Sequence, residues 1–143
     1  MNEETNFWNH FVESVRLVSE NPNHPALAHV QQIKDGVNLK DENGDTPLML
    51  SSRTGHVEAS KLLLGMGAHI DAQNVNGITA LMLAVHGNHV ETVKLLMANN
   101  ANVHLKTADG LSALRTAKIG TGLTKLFARS KIIAMLHQAG AKE

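Results

Sequence analysis

Segments with the same order of apolar and polar positions recur along the chain at a constant spacing. The copies begin at Gly44, Gly77 and Gly110 and read Gly-Asp-Thr-Pro-Leu-Met-Leu, Gly-Ile-Thr-Ala-Leu-Met-Leu and Gly-Leu-Ser-Ala-Leu-Arg-Thr, so each begins 33 residues after the last. A fixed period of this size indicates repeated supersecondary units, each unable to bury its apolar face alone. We therefore expect the units to stack and to share one continuous core.

Each unit has the pattern of two short helices that follow a turn. In the second unit, Thr46 is placed to cap a helix that starts with Pro47 and runs to about Arg53, because a hydroxyl before the first turn satisfies free N–H groups. Gly55-His56 ends this helix, and a second helix follows. The same design in the third unit predicts a helix over Ala80 to His86.

Ahead of each turn, apolar residues occupy alternate positions. The aligned pairs are Val37 and Leu39, Ile70 and Ala72, and Val103 and Leu105. Alternation over a few residues before a Gly-bearing turn is typical of a β-hairpin arm. We therefore expect hairpin-like loops to join the helical pairs.

The N-terminal segment predicts a helix from about Thr5 to Ser19. Its apolar stripe consists of Phe7, Phe11, Val15 and Val18, flanked by Trp8. A stack needs a terminal element with one atypical outer face, so this helix is expected to cap the exposed end of the first unit. The alternative is that the edge of Trp8 stays exposed and binds a partner. A second helix is expected from Pro25 to about Lys34, as part of a degenerate first unit.

The fourth unit contains an insertion. Gly110 to Gly140 spans 30 residues where Gly44 to Gly67 spans 23, so seven extra residues lie between its helices. They fall within 119–128, where glycines predict a loop and the apolar spacing predicts an earlier start of the last helix, from about Leu123 to His137.

The order of turn, Thr-Pro-Leu, short helix, Gly-His, second helix and Gly-Ala resembles the ankyrin repeat over residues 24 to 142. The resemblance implies an all-α ankyrin-repeat solenoid, with helix-turn-helix units joined by β-hairpin-like loops and an extra N-terminal capping helix. We expect a single domain over 1–143, divided into 1–39 (helix and degenerate repeat), 40–72, 73–105 and 106–143 (modified repeat). Ala59 and Ser60 stand where the family usually has larger aliphatic residues, so that layer is expected to be loosely filled.

Charge and composition restrict the partners. Lysines and arginines number 13, as do aspartates and glutamates, so no global field favours nucleic acid or an anionic membrane. The distribution is uneven: residues 1–60 hold nine acidic and four basic residues, whereas residues 110–142 hold six basic and no acidic residues. There is no cysteine, and no secretory signal or spanning segment is evident, so cytoplasmic residence is expected.

Nine histidines invite a metal hypothesis, but no three ligands arrive at plausible spacing. The resemblance instead assigns His56 and His89 to hydrogen bonds that tie their turns. No nucleophile, base and orienting group can be assembled from spacing. We expect no metal, no cofactor and no enzyme activity.

The resemblance implies that a partner binds the concave side, through the tips of the loops and the exposed face of each first helix. Aliphatic residues at the tips, with methionines one layer behind, have the composition of an interaction groove; the alternative is that they only pack on neighbouring tips. Carried onto this chain, the expected partner-binding residues are Glu42, Asn43, Asp45, Met49, Arg53, Val75, Asn76, Ile78, Met82, His86, Ala108, Asp109, Leu111 and Arg115.

We therefore expect a monomeric, non-catalytic module that binds another protein. Two other classes stay open. The acidic and basic ends could join copies head to tail as a self-assembling scaffold. The loop at Gly120, with Lys118 and Lys125, could bind an anion or nucleotide at a helix start, although it lacks the order of a phosphate-binding motif.

Overall fold

The structure is a computed structural model that describes residues 3–119 and 126–142. Over these ranges the chain forms helices α1 to α8 in chain order, with the bounds Glu3–Glu20, Leu27–Asp35, Pro47–Thr54, Val57–Gly65, Ala80–His86, Val90–Ala98, Ala113–Ile119 and Leu126–Gln138. The first helices of successive units, α3, α5 and α7, pack side by side in one row, and the second helices, α4, α6 and α8, pack in another. The architecture is the all-α stack that the period predicts.

Side-chain hydroxyls start the first helix of each regular unit. Thr46 Oγ1 accepts a hydrogen bond from Met49 N at 3.3 Å, and Thr79 Oγ1 accepts one from Met82 N at 3.3 Å. These caps satisfy N–H groups that a helix start leaves unpaired. The predicted cap at Thr46 and the predicted bounds of α5 are confirmed.

The loops between units are held by main-chain contacts between consecutive tips. Val75 N donates to Asn43 O at 3.1 Å, and Ala108 N donates to Asn76 O at 2.9 Å. In the described residues the only bridge outside helices joins Lys106 and Ser112. The expected hairpin arms are thus short turns, each closed by its own hydrogen bonds, such as that from Asn74 N to Ile78 O at 3.0 Å, and each joined to the next tip by a further one.

Glycine is required where two tips approach each other. Gly44 and Gly77 have φ of 77° and 74°, and a Cβ added to Gly77 would lie 3.0 Å from Ala108 N and from Thr107 Cα. Gly110 has a similar φ of 83°, but a Cβ there would meet nothing within 4 Å. Backbone conformation therefore favours glycine at all three turns, and close packing also favours it at the first two.

The layer around Ala59 and Ser60 is closed to solvent, and its expected loose filling stays a prediction. Both side chains are fully buried, and the hydroxyls of Ser60 and Ser51 hydrogen-bond at 2.8 Å. Small residues on α4 let its neighbours come close, and both α3 and α1 pack against it.

The N-terminal helix contacts the second unit as well as the degenerate first unit that it was expected to cap. Helix α1 packs against α2 and also directly against α3 and α4 of the second unit, whereas α2 makes no comparable contact with α4 within the described residues. Trp8 is 3% exposed and Phe11 is fully buried, so the alternative of an exposed Trp8 edge is wrong. Helix α2 begins at Leu27 because Pro25 and Ala26 form a turn, in which Ala26 N donates to His24 Nδ1 at 3.1 Å.

The last helix ends one residue beyond the predicted His137. Its predicted start at Leu123 and the glycine loop over 120–125 lie outside the described residues. Helix α8 packs against α6 and α7. Near this contact, the hydrogen bond from Lys94 at 2.8 Å, with a smaller contribution from Lys131, holds the pKa of Glu91 below its ordinary value.

We predict that Gly77→Ala lowers the free energy of unfolding more than Gly110→Ala does. Both changes place a Cβ on a left-handed backbone, which costs about 1–2 kcal/mol. Only the change at Gly77 also forces the next tip away, so its total cost should reach about 2–4 kcal/mol. Urea denaturation of the two variants measures the difference, and equal costs would show that tip packing does not restrict this position.

Candidate functional site

An open groove lies between the tips of the third and fourth units. Its volume is ≈ 540 Å³. Apolar side chains of Ile78, Met82 and Leu111 line it, with Asn76, His86, Ala108 and Asp109 also at its walls. The structure thus brings together seven of the predicted partner-binding residues.

Helix α5 and the turn before it position one wall. Asn74 Oδ1 accepts hydrogen bonds from Asn76 N and Ile78 N, both at 3.0 Å, and this fixes the tip. Ile78, Met82 and His86 are four residues apart, so they follow one face across the helix start. Met82 is only 4% exposed and therefore forms the floor of the groove, while His86 is exposed at the end of the helix.

The tip of the fourth unit forms the opposite wall. Thr107 Oγ1 accepts a hydrogen bond from Leu111 N at 2.9 Å and donates one to the Asp109 carboxylate. The half-buried Leu111 faces the groove, while Ala108 and Asp109 are exposed. The result is an apolar floor with polar groups and one carboxylate at the margin.

The repeat pattern assigned two residues of the second unit to the binding surface, but the structure buries both. Met49 is 1% exposed, because α5 packs alongside α3. Asp45 is 4% exposed; its carboxylate pairs with the Arg53 guanidinium and accepts a hydrogen bond from Asn74 Nδ2 at 2.8 Å. The expectation that these two side chains lie on the binding surface is wrong, and Arg53 is held in the same network.

The remaining predicted residues lie outside the groove lining. All four of these residues are exposed: Glu42, Asn43, Val75 and Arg115. Three residues that line the groove were missed by the sequence analysis: Leu83, Thr107 and Thr116. Leu83 and Thr116 are one period apart, so their shared register position was the available signal.

The histidines at the Gly-His positions make structural hydrogen bonds. His56 Nδ1 accepts one from Ala59 N at 3.2 Å, as expected for a residue that ties its turn, and His56 Nε2 hydrogen-bonds Asn9 Oδ1 on α1 at 2.7 Å. His89 Nε2 instead hydrogen-bonds Arg53 O in the preceding unit at 2.9 Å. Over 3–119 and 126–142, no three His, Cys, Asp or Glu residues are grouped so that they could hold a metal ion.

Comparison with known families agrees with the helical pairs, the tips and the caps. A family model described as ankyrin repeats, in three copies, matches residues 15–118. The chain belongs to the ankyrin-repeat family. The match begins inside α1 and stops within α7, so the first part of α1 and all of α8 lie beyond it.

Membership of the ankyrin-repeat family sets the broad class of function. Ankyrin repeats are typically non-catalytic modules for protein–protein interaction, and no enzyme family matches the chain. Among curated proteins, none matches the sequence. In the part of the chain that the structure describes, no helix is long and apolar enough to cross a membrane.

We predict that Asp45→Ala destabilises the fold by about 2 kcal/mol, because Asn74 and Arg53 lose a buried acceptor that joins two tips. Glu42→Ala is the matched control, since Glu42 is an exposed acidic residue of the same turn and its loss should change stability by no more than about 0.5 kcal/mol. Urea denaturation measures both. A loss as small for Asp45→Ala as for the control would contradict the structural role.

Proposed function

We propose that this ankyrin-repeat protein binds another protein, without catalysis, through the groove between its third and fourth tips. The observation that carries the proposal is the open, apolar-floored volume of ≈ 540 Å³ bounded by Ile78, Met82 and Leu111. An apolar centre with a polar margin is the usual composition of a protein-binding surface. Family membership supports the general class, and the groove supports the location.

The lining indicates the chemistry of the partner. An apolar side chain would lie over the floor, where the unbranched thioether of Met82 can adapt its shape. Asn76 and His86 offer hydrogen-bonding groups beside it, and the exposed Asp109 carboxylate favours a basic residue nearby. We therefore expect a partner segment in which an apolar residue stands close to Lys or Arg.

The alternative, that the tip residues only pack on one another, applies to some of the apolar residues in and near the groove. Ile78 packs against the core and Met82 is buried beneath it. Leu111 is half-buried and borders the open volume, whereas Val75 is exposed and lies outside the groove lining. Leu111 is therefore the better position for a test, because a change there leaves the core largely intact.

We predict that Leu111→Asp reduces capture of the partner by roughly tenfold or more, because it places a charge on the apolar wall of the groove. The measurement is an affinity pulldown from lysate of the source organism, with bound proteins identified by mass and the affinity of the recovered partner then measured directly. Leu39→Asp is the control, since Leu39 is 71% exposed and lies outside the groove lining. Equal recovery by wild type and both variants would place the binding surface elsewhere.

A further inference from the structure

A second groove lies at the N-terminal end of the stack. Its volume is ≈ 440 Å³, and its apolar lining is contributed by α1, α2 and α3 through Phe7, Trp8, Ile33, Pro47 and Leu50. Glu3 and Glu4 in the first turn of α1 also line it. The groove is thus apolar inside and acidic along one side.

The arrangement of the first three helices explains why this groove is open. Helix α1, and not α2, makes the main contact with α4, so α2 is set aside from the row in which α4, α6 and α8 stack. The ring of Phe7 meets Trp8 edge-on at 4.8 Å, yet Phe7 remains exposed. An aromatic wall is therefore accessible to an incoming side chain.

The opposite end of the chain has the complementary properties. Phe127 in the first turn of α8 is 92% exposed, and the neighbouring Leu126 is exposed as well. Arg129 and Lys131 follow on the same helix, in a unit whose residues 110–142 contain six basic and no acidic residues. A bulky apolar pair beside cations is the chemistry that an acidic, aromatic groove accommodates.

We propose that the N-terminal groove binds the Leu126-Phe127 edge of a second copy of this chain. A single molecule cannot make the contact, because α1 packs with α2, α3 and α4 whereas α8 packs with α6 and α7 at the other end of the row. Burial of Phe127 against Phe7 supplies the apolar contact, and the acidic margin orients the basic unit. The contact joins different surfaces on the two copies, so it is heterologous.

Such an interface has three consequences. A heterologous contact grows into a ring or an open chain unless one end is blocked. A contact limited to one groove is small beside the roughly 1,200–2,000 Å² that stable interfaces bury, so association should appear only as protein concentration rises. This third consequence rests on the proposed function: copies joined in this way would present several grooves between third and fourth tips to one partner and raise its apparent affinity.

The first test is sedimentation velocity of the full chain over a concentration series. We expect species larger than a monomer to increase with concentration in about 0.1 M salt and to decrease in about 1 M salt, where the Debye length falls from about 10 Å to about 3 Å. A monomer at all concentrations in low salt would overturn the proposal and leave the groove to a different occupant.

The second test separates the two halves of the contact. Phe127→Ser removes the apolar edge, and Glu3→Lys with Glu4→Lys reverses the acidic margin; each variant should weaken association at least tenfold. The controls are Val75→Ser, which removes a side chain that is 70% exposed outside the lining of this groove, and Glu42→Lys with Glu58→Lys, which changes the net charge equally. Association of the controls should equal that of wild type, and losses in the controls as large as in the test variants would contradict the assignment.

Mixing the two defective variants gives the sharpest result. The Phe127→Ser chain keeps an intact groove, and the Glu3→Lys, Glu4→Lys chain keeps an intact edge, so the mixture should form a 1:1 dimer that cannot grow. A mixture that stays monomeric while wild type associates would overturn the head-to-tail geometry. Circular dichroism confirms that each variant is folded, and none of the changes touches the groove between the third and fourth tips.

Discussion

The stack depends on the main-chain contact between consecutive tips. A donor at Val75 meets an acceptor at Asn43, and a donor at Ala108 meets one at Asn76, with N···O distances of 3.1 and 2.9 Å. A contact of backbone with backbone tolerates no side chain between the partners, so Gly44 and Gly77 stand where the next tip arrives. Because the same backbone atoms meet at both junctions, the spacing between consecutive tips is restricted to one value, and the helices that follow the tips pack in two rows.

Each end of the stack lacks a neighbouring unit, and the two ends differ in which of their aromatic residues are buried. At the N-terminal end, α1 packs on α2, α3 and α4, and its Trp8 and Phe11 side chains are buried. His56 joins this cap to the regular stack, since its Nδ1 atom serves the helix start and its Nε2 atom reaches Asn9. At the other end, α8 buries Ile132 and Leu136 but leaves Phe127 in solvent. The unequal burial of aromatic residues makes the two ends chemically distinct.

The period allowed the fold to be predicted, together with the helix starts at Pro47 and Ala80, because caps and turns are local signals that repeat. The direction of individual side chains could not be read in the same way. Asp45 sits at a tip position yet points inward, since a neighbouring tip supplies Asn74 as its donor. Met49 is likewise covered by a helix that lies 33 positions further along the chain. Burial at these positions depends on contacts between units, which a pattern within one unit does not contain.

Differences between equivalent residues of the second and third units explain the position of the candidate groove. In the second unit, Asp45 and Arg53 form an ion pair that Asn74 of the next tip extends. One period later the equivalent residues are Ile78 and His86, which cannot form such a pair, and Thr107 of the next tip donates to Asp109 in its own turn. The polar network that ties the second tip to the third is therefore replaced by aliphatic surface between the third and fourth. The change from Asp45 to Ile78 and from Arg53 to His86 between equivalent positions removes the ion pair. An open groove lies at the junction where this pair is absent.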